Sequence, residues 1–476
     1  MPGLHHTSRE DIVITGMACR FAQAPDLAAL WRNILTKKSC FTPAAFTQSE
    51  ESQVPSRSDL FENAVTPAFS ASLDELYACN PGDQYFPQKT HIGENPDLFF
   101  TVQLVIDALR DVGRGNHALP TDRVSFRLGY APPFNIATVN WLQHTYFLDL
   151  TLDLVHKFFP GASPDQMDEI RNQLVGALPA ANPYAFLSGF GSALTAWTSH
   201  FLGFAGPACV LDAGAVSGIQ ALQCAMDDLR AKRCDIALAG AIQPPLCAAF
   251  VKGIAGVFRF SATKTLRPFC RESDGTLPGE GGVIFVLKRL KDALRQNDRI
   301  YAIIRSTGIA AAAIDQQKQV PTPERLTLAM RRAFEAADVT PESVQMIEAN
   351  GSGIPHSDQT EIHVLQELYG ERRAGSPLVG VGSVKGNIGH TLWAASAAGV
   401  VKAALSIYHQ VLPPQVTVEK PYARLYSAHS PICLMADSRP WLRGDKKNPR
   451  RACVTALDFS GTCAAAILEE YPGGEK

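Results

Sequence analysis

The strongest constraint on the fold is the stretch ACVLDAGAVSGIQALQCAMDDLRAKRCDIALAGAIQP at residues 208–244. An apolar strand pattern is followed by a tight turn of small residues, a long helix pattern and a second apolar strand pattern. Two strands joined through a helix of this length are expected to run parallel with a right-handed crossover. The stretch therefore predicts an α/β fold.

Similar strand and helix patterns occur on both sides of this stretch, so the chain is expected to contain two similar halves of parallel strands covered by helices. We predict a first half at residues 10–260 and a second half at residues 261–472. Residues 141–178 hold two further helical patterns, separated by a turn at 160–166, and form a predicted insert in the first half.

The composition limits the classes of protein to which the chain can belong. Of the 476 residues, 46% are hydrophobic and 19% charged, which fits a chain with a large buried core and excludes a disordered one. The formal net charge of −2 argues against sequence-independent nucleic-acid binding, which needs many basic contacts to phosphate. The 11 cysteines include no CxxC pair or zinc spacing, and we find no signal peptide and no membrane span. These features predict a cytoplasmic protein with free thiols and no metal.

Five motifs occur in a fixed order along most of the chain. They are GMACRF at 16–21, RPF with DG and GEGG at 267–282, EANGSGIPHSDQTE at 348–361, GSVKGNIGH at 382–390 and RRACVTALDFSGT at 450–462. In this order and spacing they resemble the ketosynthase (beta-ketoacyl synthase) domains of polyketide and polyunsaturated-fatty-acid synthases. The resemblance implies a thiolase-like fold, with two duplicated α/β halves in five layers, that is usually dimeric. The insert at 141–178 is similar to one in iterative ketosynthases of the polyunsaturated type and in their chain-length-factor partners.

The resemblance also implies a chemistry. Ketosynthases join an acyl chain to a malonyl unit with loss of carbon dioxide, and both substrates are carried on the phosphopantetheine of acyl carrier protein. No other cofactor is expected. The family uses a cysteine nucleophile at a strand-to-helix elbow, two histidines that stabilise developing oxyanions, and a lysine.

The nucleophile motif departs from the family pattern. Where the family has D-T-A-C-S-S-S, this chain has DAGAVSG at 212–218, which places Ala215 at the position of the nucleophile. A methyl group cannot form a thioester, so covalent acyl transfer by the family route is not available. Ser217, two residues further on, is a candidate substrate contact, and a helical turn would aim it away from the nucleophile position.

The remaining site positions are partly retained. The first family histidine is replaced by Asn350, whose amide can donate a hydrogen bond but cannot act as an acid or base. The second histidine matches His390, and the lysine matches Lys385. The family loop G-F-G-G-T-N is DFSGTC at 458–463, in which Phe459 keeps the position that usually lines the acyl pocket.

Three hypotheses follow. In the first, the chain has no condensing activity and is a chain-length-factor-like partner of a homologous, active ketosynthase, or forms a homodimer, and acyl carrier protein delivers the substrates. In the second, it is a malonyl-carrier decarboxylase or another non-condensing acyltransferase that uses His390. In the third, it is a condensing enzyme seen as a Cys-to-Ala variant, although the changes spread over several motifs fit a natural, divergent site better.

Overall fold

The computed structural model describes residues 10–44, 69–73, 95–112, 121–131, 136–178, 187, 189–246, 248–256, 258–311, 322–371, 378–443 and 448–473. Within these ranges, no helix has the length and apolar character needed to cross a membrane.

Eleven strands form the main sheet of the described chain. They are β1 (Ile12–Phe21), β2 (Val124–Gly129), β3 (Ala208–Leu211), β4 (Ile236–Gln243), β5 (Gly281–Arg289), β6 (Ala302–Ala310), β7 (Met346–Glu348), β8 (Val379–Gly382), β9 (Ile432–Leu434), β10 (Arg451–Leu457) and β11 (Cys463–Glu469). Two short ladders pair Thr42–Pro43 with Phe69–Ser70 and Val411–Leu412 with Arg439–Pro440.

The described residues contain thirteen α-helices. They are α1 (Leu27–Leu35), α2 (Pro96–Asp111), α3 (Ile136–Leu142), α4 (Leu148–Phe158), α5 (Pro164–Ala177), α6 (Gly191–Leu202), α7 (Ser217–Arg230), α8 (Ala248–Ala255), α9 (Leu290–Arg295), α10 (Pro323–Ala337), α11 (Pro355–Tyr369), α12 (Lys385–Ile388) and α13 (Ala395–His409). Helix α1 begins as expected, because the Asp26 side chain accepts a hydrogen bond from Ala29 N at 2.7 Å. In the predicted insert, one π-helical turn (Gln143–Phe147) joins α3 to α4.

The sheet order confirms that the chain contains two copies of one α/β unit. The strands lie in the order β9-β8-β7-β10-β11-β6-β1-β5-β4-β2-β3, and β1 pairs with β6 where the two halves meet. The first half has the order β3-β2-β4-β5-β1, and the second repeats it as β8-β7-β10-β11-β6, with β9 added at its edge. By its place in the sheet β5 belongs with the first half, although it lies beyond residue 260, and the predicted bounds of the two halves stay a prediction.

One expectation about strand pairing was wrong, and another is confirmed only in the direction of the strands. The sheet is mixed rather than parallel throughout, because β5 runs antiparallel to β1 and β4, and β11 runs antiparallel to β10 and β6. The connection from β10 to β11 spans only residues 458–462, which is too short for the crossover that parallel neighbours need. Strands β3 and β4 share a direction but are not neighbours, since β2 lies between them and bonds to both.

The core explains the layered arrangement. Helices α7 and α13 pack against each other and contact strands of both halves, so they form a central helical layer. Helices α2 and α6 cover the first half, while α10 and α11 cover the second, which completes five layers. Helix α13 is almost entirely buried, and its small residues allow this close approach. Its buried Lys402 forms an ion pair with Glu348 of β7 at 2.7 Å.

Candidate active site

The strand-to-helix elbow lies where the sequence predicts it. Strand β3 leads into a single 3-10 turn, Gly214–Val216, and α7 follows directly. Ala215 is buried at this turn, so its methyl group stands at the start of the helix. The turn requires Gly214 in the left-handed region, with φ of +55°, where a side chain is disfavoured. The residue that the motif comparison predicts at the nucleophile position thus lies at a strand-to-helix elbow and carries only a methyl group.

A carboxylate from the other half of the chain binds the elbow. Asp458 follows β10, and its Oδ1 accepts a hydrogen bond from Ala215 N at 2.7 Å. Its Oδ2 accepts a second one from Ser460 N at 2.8 Å. A Cβ added at Gly214 would overlap the Asp458 carboxylate, so glycine is the residue that leaves room for it. An anion at the start of a helix is also stabilised by the helix dipole.

An apolar cavity of about 270 Å³ opens beside the elbow. Its lining includes Ala215, Asp458 and Phe459, together with side chains from α8 and from the segment before α13. These further residues are Phe250, Ile254, Phe258, Leu392 and Trp393. Phe459 lies at the position that the sequence assigns to acyl binding, and its ring contacts that of Phe258 with centroids 5.4 Å apart.

Ser217 is fully buried at the first residue of α7. Its hydroxyl oxygen accepts a hydrogen bond from Ala213 N at 2.9 Å, and Ser217 is not part of the cavity lining. In this position the hydroxyl stabilises the elbow backbone. A substrate contact of Ser217 stays a prediction.

Asn350 and Lys385 contact each other directly. The Lys385 ammonium donates to Asn350 O at 2.7 Å and to Asn350 Oδ1 at 3.2 Å. Burial lowers the pKa of Lys385 to about 8, although the negative charges of Glu361, Glu348 and Asp358 act in the opposite direction. Lys385 therefore fixes the Asn350 loop through hydrogen bonds.

Two buried carboxylates hold the same loop from helix α11. Glu361 accepts hydrogen bonds from Asn350 N and Gly351 N, both at 2.9 Å. Asp358 accepts from Ser352 N and Phe269 N, both at 2.9 Å. Burial raises the pKa of Glu361, and it raises that of Asp358 to about 7. The loop that carried a histidine in the family is thus held by backbone contacts that Asn350 does not alter.

His390 is buried between the cavity beside Ala215 and the Asn350–Lys385 pair. Its Nδ1 accepts a hydrogen bond from Leu392 N at 3.2 Å, which leaves the Nε2 proton as the donor of the neutral ring. Its ring packs edge-on against Phe258, with centroids 5.5 Å apart. Burial, together with the nearby Lys385 charge, holds the pKa of His390 well below 6.5. His390 is therefore a neutral hydrogen-bond donor near pH 7.

The structure places the predicted site residues in two groups. Ala215 and Phe459 share the cavity, whereas Asn350 and Lys385 form a hydrogen-bonded pair. His390 links the groups through Phe258, whose ring contacts both His390 and Phe459. Among the residues that the structure describes, no cluster of three or more His, Cys, Asp or Glu side chains is placed to hold a metal ion.

Comparison with known proteins identifies the fold family. Residues 9–293 match the beta-ketoacyl synthase N-terminal domain, and residues 301–419 match the C-terminal domain. The chain belongs to the beta-ketoacyl synthase family. The oxazolomycin ketosynthase domain OzmH KS7 of Streptomyces albus JA3453 superposes with a TM-score of 0.79 at 25% identity, over 98% of this chain and 75% of that one. The thiolase-like fold expected from the motifs is therefore confirmed.

Curated relatives are large polyketide synthases. A mycocerosic acid synthase-like polyketide synthase of Mycobacterium tuberculosis is 33% identical over 344 residues, which is 69% of this chain and 16% of that protein. The polyketide synthase ThaG of Burkholderia thailandensis is 26% identical over 476 residues, which is 98% of this chain and 8% of that protein. The chain thus spans a small part of the length of these relatives and corresponds to a ketosynthase-like domain.

Sequence reasoning missed several residues of this ketosynthase-like site. The motif comparison includes the loop at 458–463, but it does not predict the contact between Asp458 and Ala215 N. An acid in place of a family glycine was the available signal. Helix α8, which supplies Phe250 and Ile254 to the cavity, was also missed, because it follows the proline-containing stretch after β4 and spans only Ala248–Ala255.

Replacing His390 by asparagine is expected to remove an acid-dependent loss of stability. An unfolded histidine binds a proton below about pH 6.5, whereas folded His390 resists protonation. The contribution of His390 is therefore present above pH 6.5 and is lost as the pH falls. The stability difference between the wild type and His390→Asn should shrink by about 1 kcal/mol from pH 6.5 to 5.5.

Denaturant unfolding at several pH values measures this difference. His156→Asn is the matched control, since His156 is exposed on α4, and its difference from the wild type should stay constant. A constant difference for His390→Asn as well would contradict the buried, neutral state of His390.

Proposed function

We propose that this chain is a ketosynthase-like subunit without condensing activity, which pairs with a homologous, active ketosynthase in polyketide or fatty-acid synthesis. The observation that carries the proposal is the methyl group of Ala215 at an otherwise intact elbow. Without a thiol there is no acyl-enzyme, and Asn350 supplies no acid or base. The active partner would receive substrates from the phosphopantetheine of acyl carrier protein, and this chain would help to shape the acyl tunnel.

Two features of the surface support a partner of the same fold. Among the strands that the structure describes, β3 lies at the edge of the sheet, where one side of its backbone can pair with another strand. The insert formed by α3, α4 and α5 exposes an unusual number of large apolar side chains. They are Trp141, Tyr146, Phe147, Leu150, Leu154, Phe158, Phe159 and Val175. Exposed apolar surface on this scale is typical of an interface.

The decisive experiment is co-expression with a ketosynthase homologue that carries the cysteine nucleophile. Native mass spectrometry is expected to show a complex with one copy of each chain. Only monomers or homodimers of this chain, in the presence of the homologue, would overturn the proposal.

Charged substitutions on the insert should weaken this complex. Phe147→Asp combined with Phe158→Asp is expected to raise the dissociation constant at least about tenfold, because two exposed apolar contacts would be replaced by charges that must be desolvated. Leu442→Asp is the matched control, since Leu442 is 82% exposed and lies outside the insert. Titration calorimetry checks the result, and equal weakening by both variants would contradict an interface at the insert.

Malonyl-carrier decarboxylation is a second candidate function. The observation in its favour is the hydrogen bond from Leu392 N to Nδ1 of His390, which makes Nε2–H the donor that an enolate oxygen would accept from. Loss of carbon dioxide from malonyl-loaded carrier protein, followed by mass spectrometry, tests this candidate. A loss that disappears in His390→Ala would favour it, and no loss above buffer would exclude it.

A further inference from the structure

Asp458 lies at an unusual position for a carboxylate. It is buried and comes from the loop between β10 and β11, and both of its oxygens accept backbone hydrogen bonds. One of the two donors is Ala215 N, at the turn that leads into the fourteen-residue helix α7. Gly214 provides the space for the carboxylate. The Asp458 carboxylate is therefore held by its own loop on one side and by the elbow on the other.

The N–H group that Asp458 binds is of the kind that stabilises an oxyanion in acyl transfer. When an acyl group is attached to a side chain at an elbow, its carbonyl oxygen comes close to the backbone N–H of the same residue. That N–H then stabilises the developing oxyanion. In this chain, a carboxylate oxygen lies 2.7 Å from the corresponding nitrogen, which is the distance expected for a bound oxyanion.

The cavity next to this carboxylate is otherwise apolar. Among its described lining residues, Asp458 is the one charged side chain, and it is accompanied by aromatic and aliphatic groups such as Phe250, Phe258 and Trp393. A ligand with a negatively charged head group would meet a like charge in a poorly solvated space. Such an arrangement costs several kcal/mol.

We propose that Asp458 is a built-in substitute for the substrate oxyanion and determines what the cavity accepts. It occupies the elbow N–H, excludes head groups that bear a carboxylate, and leaves the cavity to uncharged apolar chains. Because malonyl groups are among those excluded, this assignment argues against the decarboxylase candidate. This assignment does not depend on a partner chain, because all of its contacts lie within the subunit.

Binding of 1-octanol and of octanoate tests the proposal, since the two probes share an alkyl chain and differ in the charge of the head group. Titration calorimetry of the full chain at pH 7.5 is expected to show octanol binding at least about tenfold more tightly than octanoate. In Asp458→Asn, which keeps the size of the side chain, the affinity for octanoate should rise about tenfold and that for octanol should change less than twofold.

A matched control separates charge from cavity shape. Phe459→Ala shortens a cavity wall and should weaken both probes alike, so that their ratio is preserved. Equal binding of the two probes by the wild type would overturn the proposal, as would an octanoate affinity that is unchanged in a folded Asp458→Asn. Failure of the wild type to bind octanol would also overturn it. If Asp458→Asn does not fold, Asp458→Ser provides the same comparison.

Discussion

An Ala215→Cys variant is expected to remain nearly inert towards acyl thioesters, although it restores the nucleophile of the family. The new thiol would lie beside the Asp458 carboxylate, which is bonded to the N–H of residue 215. A neighbouring negative charge raises the pKa of a thiol and so lowers the fraction of reactive thiolate. The N–H that would stabilise the thioester oxyanion is also already occupied.

Removing the Asp458 carboxylate from the same variant should restore the reactivity of the thiol towards acyl thioesters. In Ala215→Cys with Asp458→Gly, the thiolate can attack the carbonyl of octanoyl-pantetheine. A new thioester bond forms at residue 215, and pantetheine leaves as its thiol. We expect acylation to be about 100-fold faster than in Ala215→Cys alone, since a unit charge at about 4 Å shifts a partly buried group by two or more pKa units.

Intact-protein and peptide mass spectrometry measures the acylation rate at residue 215 and distinguishes it from the other cysteines. The control is Ala215→Cys with Ser460→Gly, which restores a family glycine in the same loop and leaves Asp458 in place. Its rate should equal that of Ala215→Cys. Rapid acylation of Ala215→Cys alone would instead favour a condensing enzyme that is seen as a Cys-to-Ala variant.

Local patterns in the sequence predicted most elements, because the chemistry that determines them is local. Helix α2 begins at Pro96 behind the cap Asn95, and α13 lies within the small-residue stretch predicted to be helical. The duplicated halves could likewise be predicted from recurring patterns, and the sheet order confirms them.

Features that depend on distant parts of the chain could not be predicted in this way. The insertion of β2 between β3 and β4 depends on tertiary packing, which strand patterns do not encode. The contact between Asp458 and Ala215 joins residues 243 positions apart. The motif alignment identified both positions, yet it carried no information about distance, so the occupied N–H became visible only in the structure.

Gly214 and Asp458 stand where the family pattern has an alanine and a glycine, and in the structure the two positions lie directly against each other. A side chain at 214 would overlap the carboxylate, so Asp458 needs glycine there. We therefore expect Gly214→Ala to lower the free energy of unfolding by about 3 kcal/mol. The loss combines the strain of a left-handed φ with displacement of a buried carboxylate from its donors.

A double-mutant cycle tests this coupling. In the Asp458→Gly background the overlap is absent, and Gly214→Ala should then cost only about 1 kcal/mol, which is the backbone strain alone. A coupling energy of about 2 kcal/mol, measured by denaturant unfolding, would show that the two positions are energetically coupled. Gly253→Ala in α8 is the control, because a Cβ there meets open space. It should raise stability by about 0.5–1 kcal/mol through helix propensity alone, and by the same amount in both backgrounds. Independent effects at 214 and 458 would mean that the elbow and the loop do not constrain each other. The structure would then give no reason to regard Ala215 as part of a natural, divergent site.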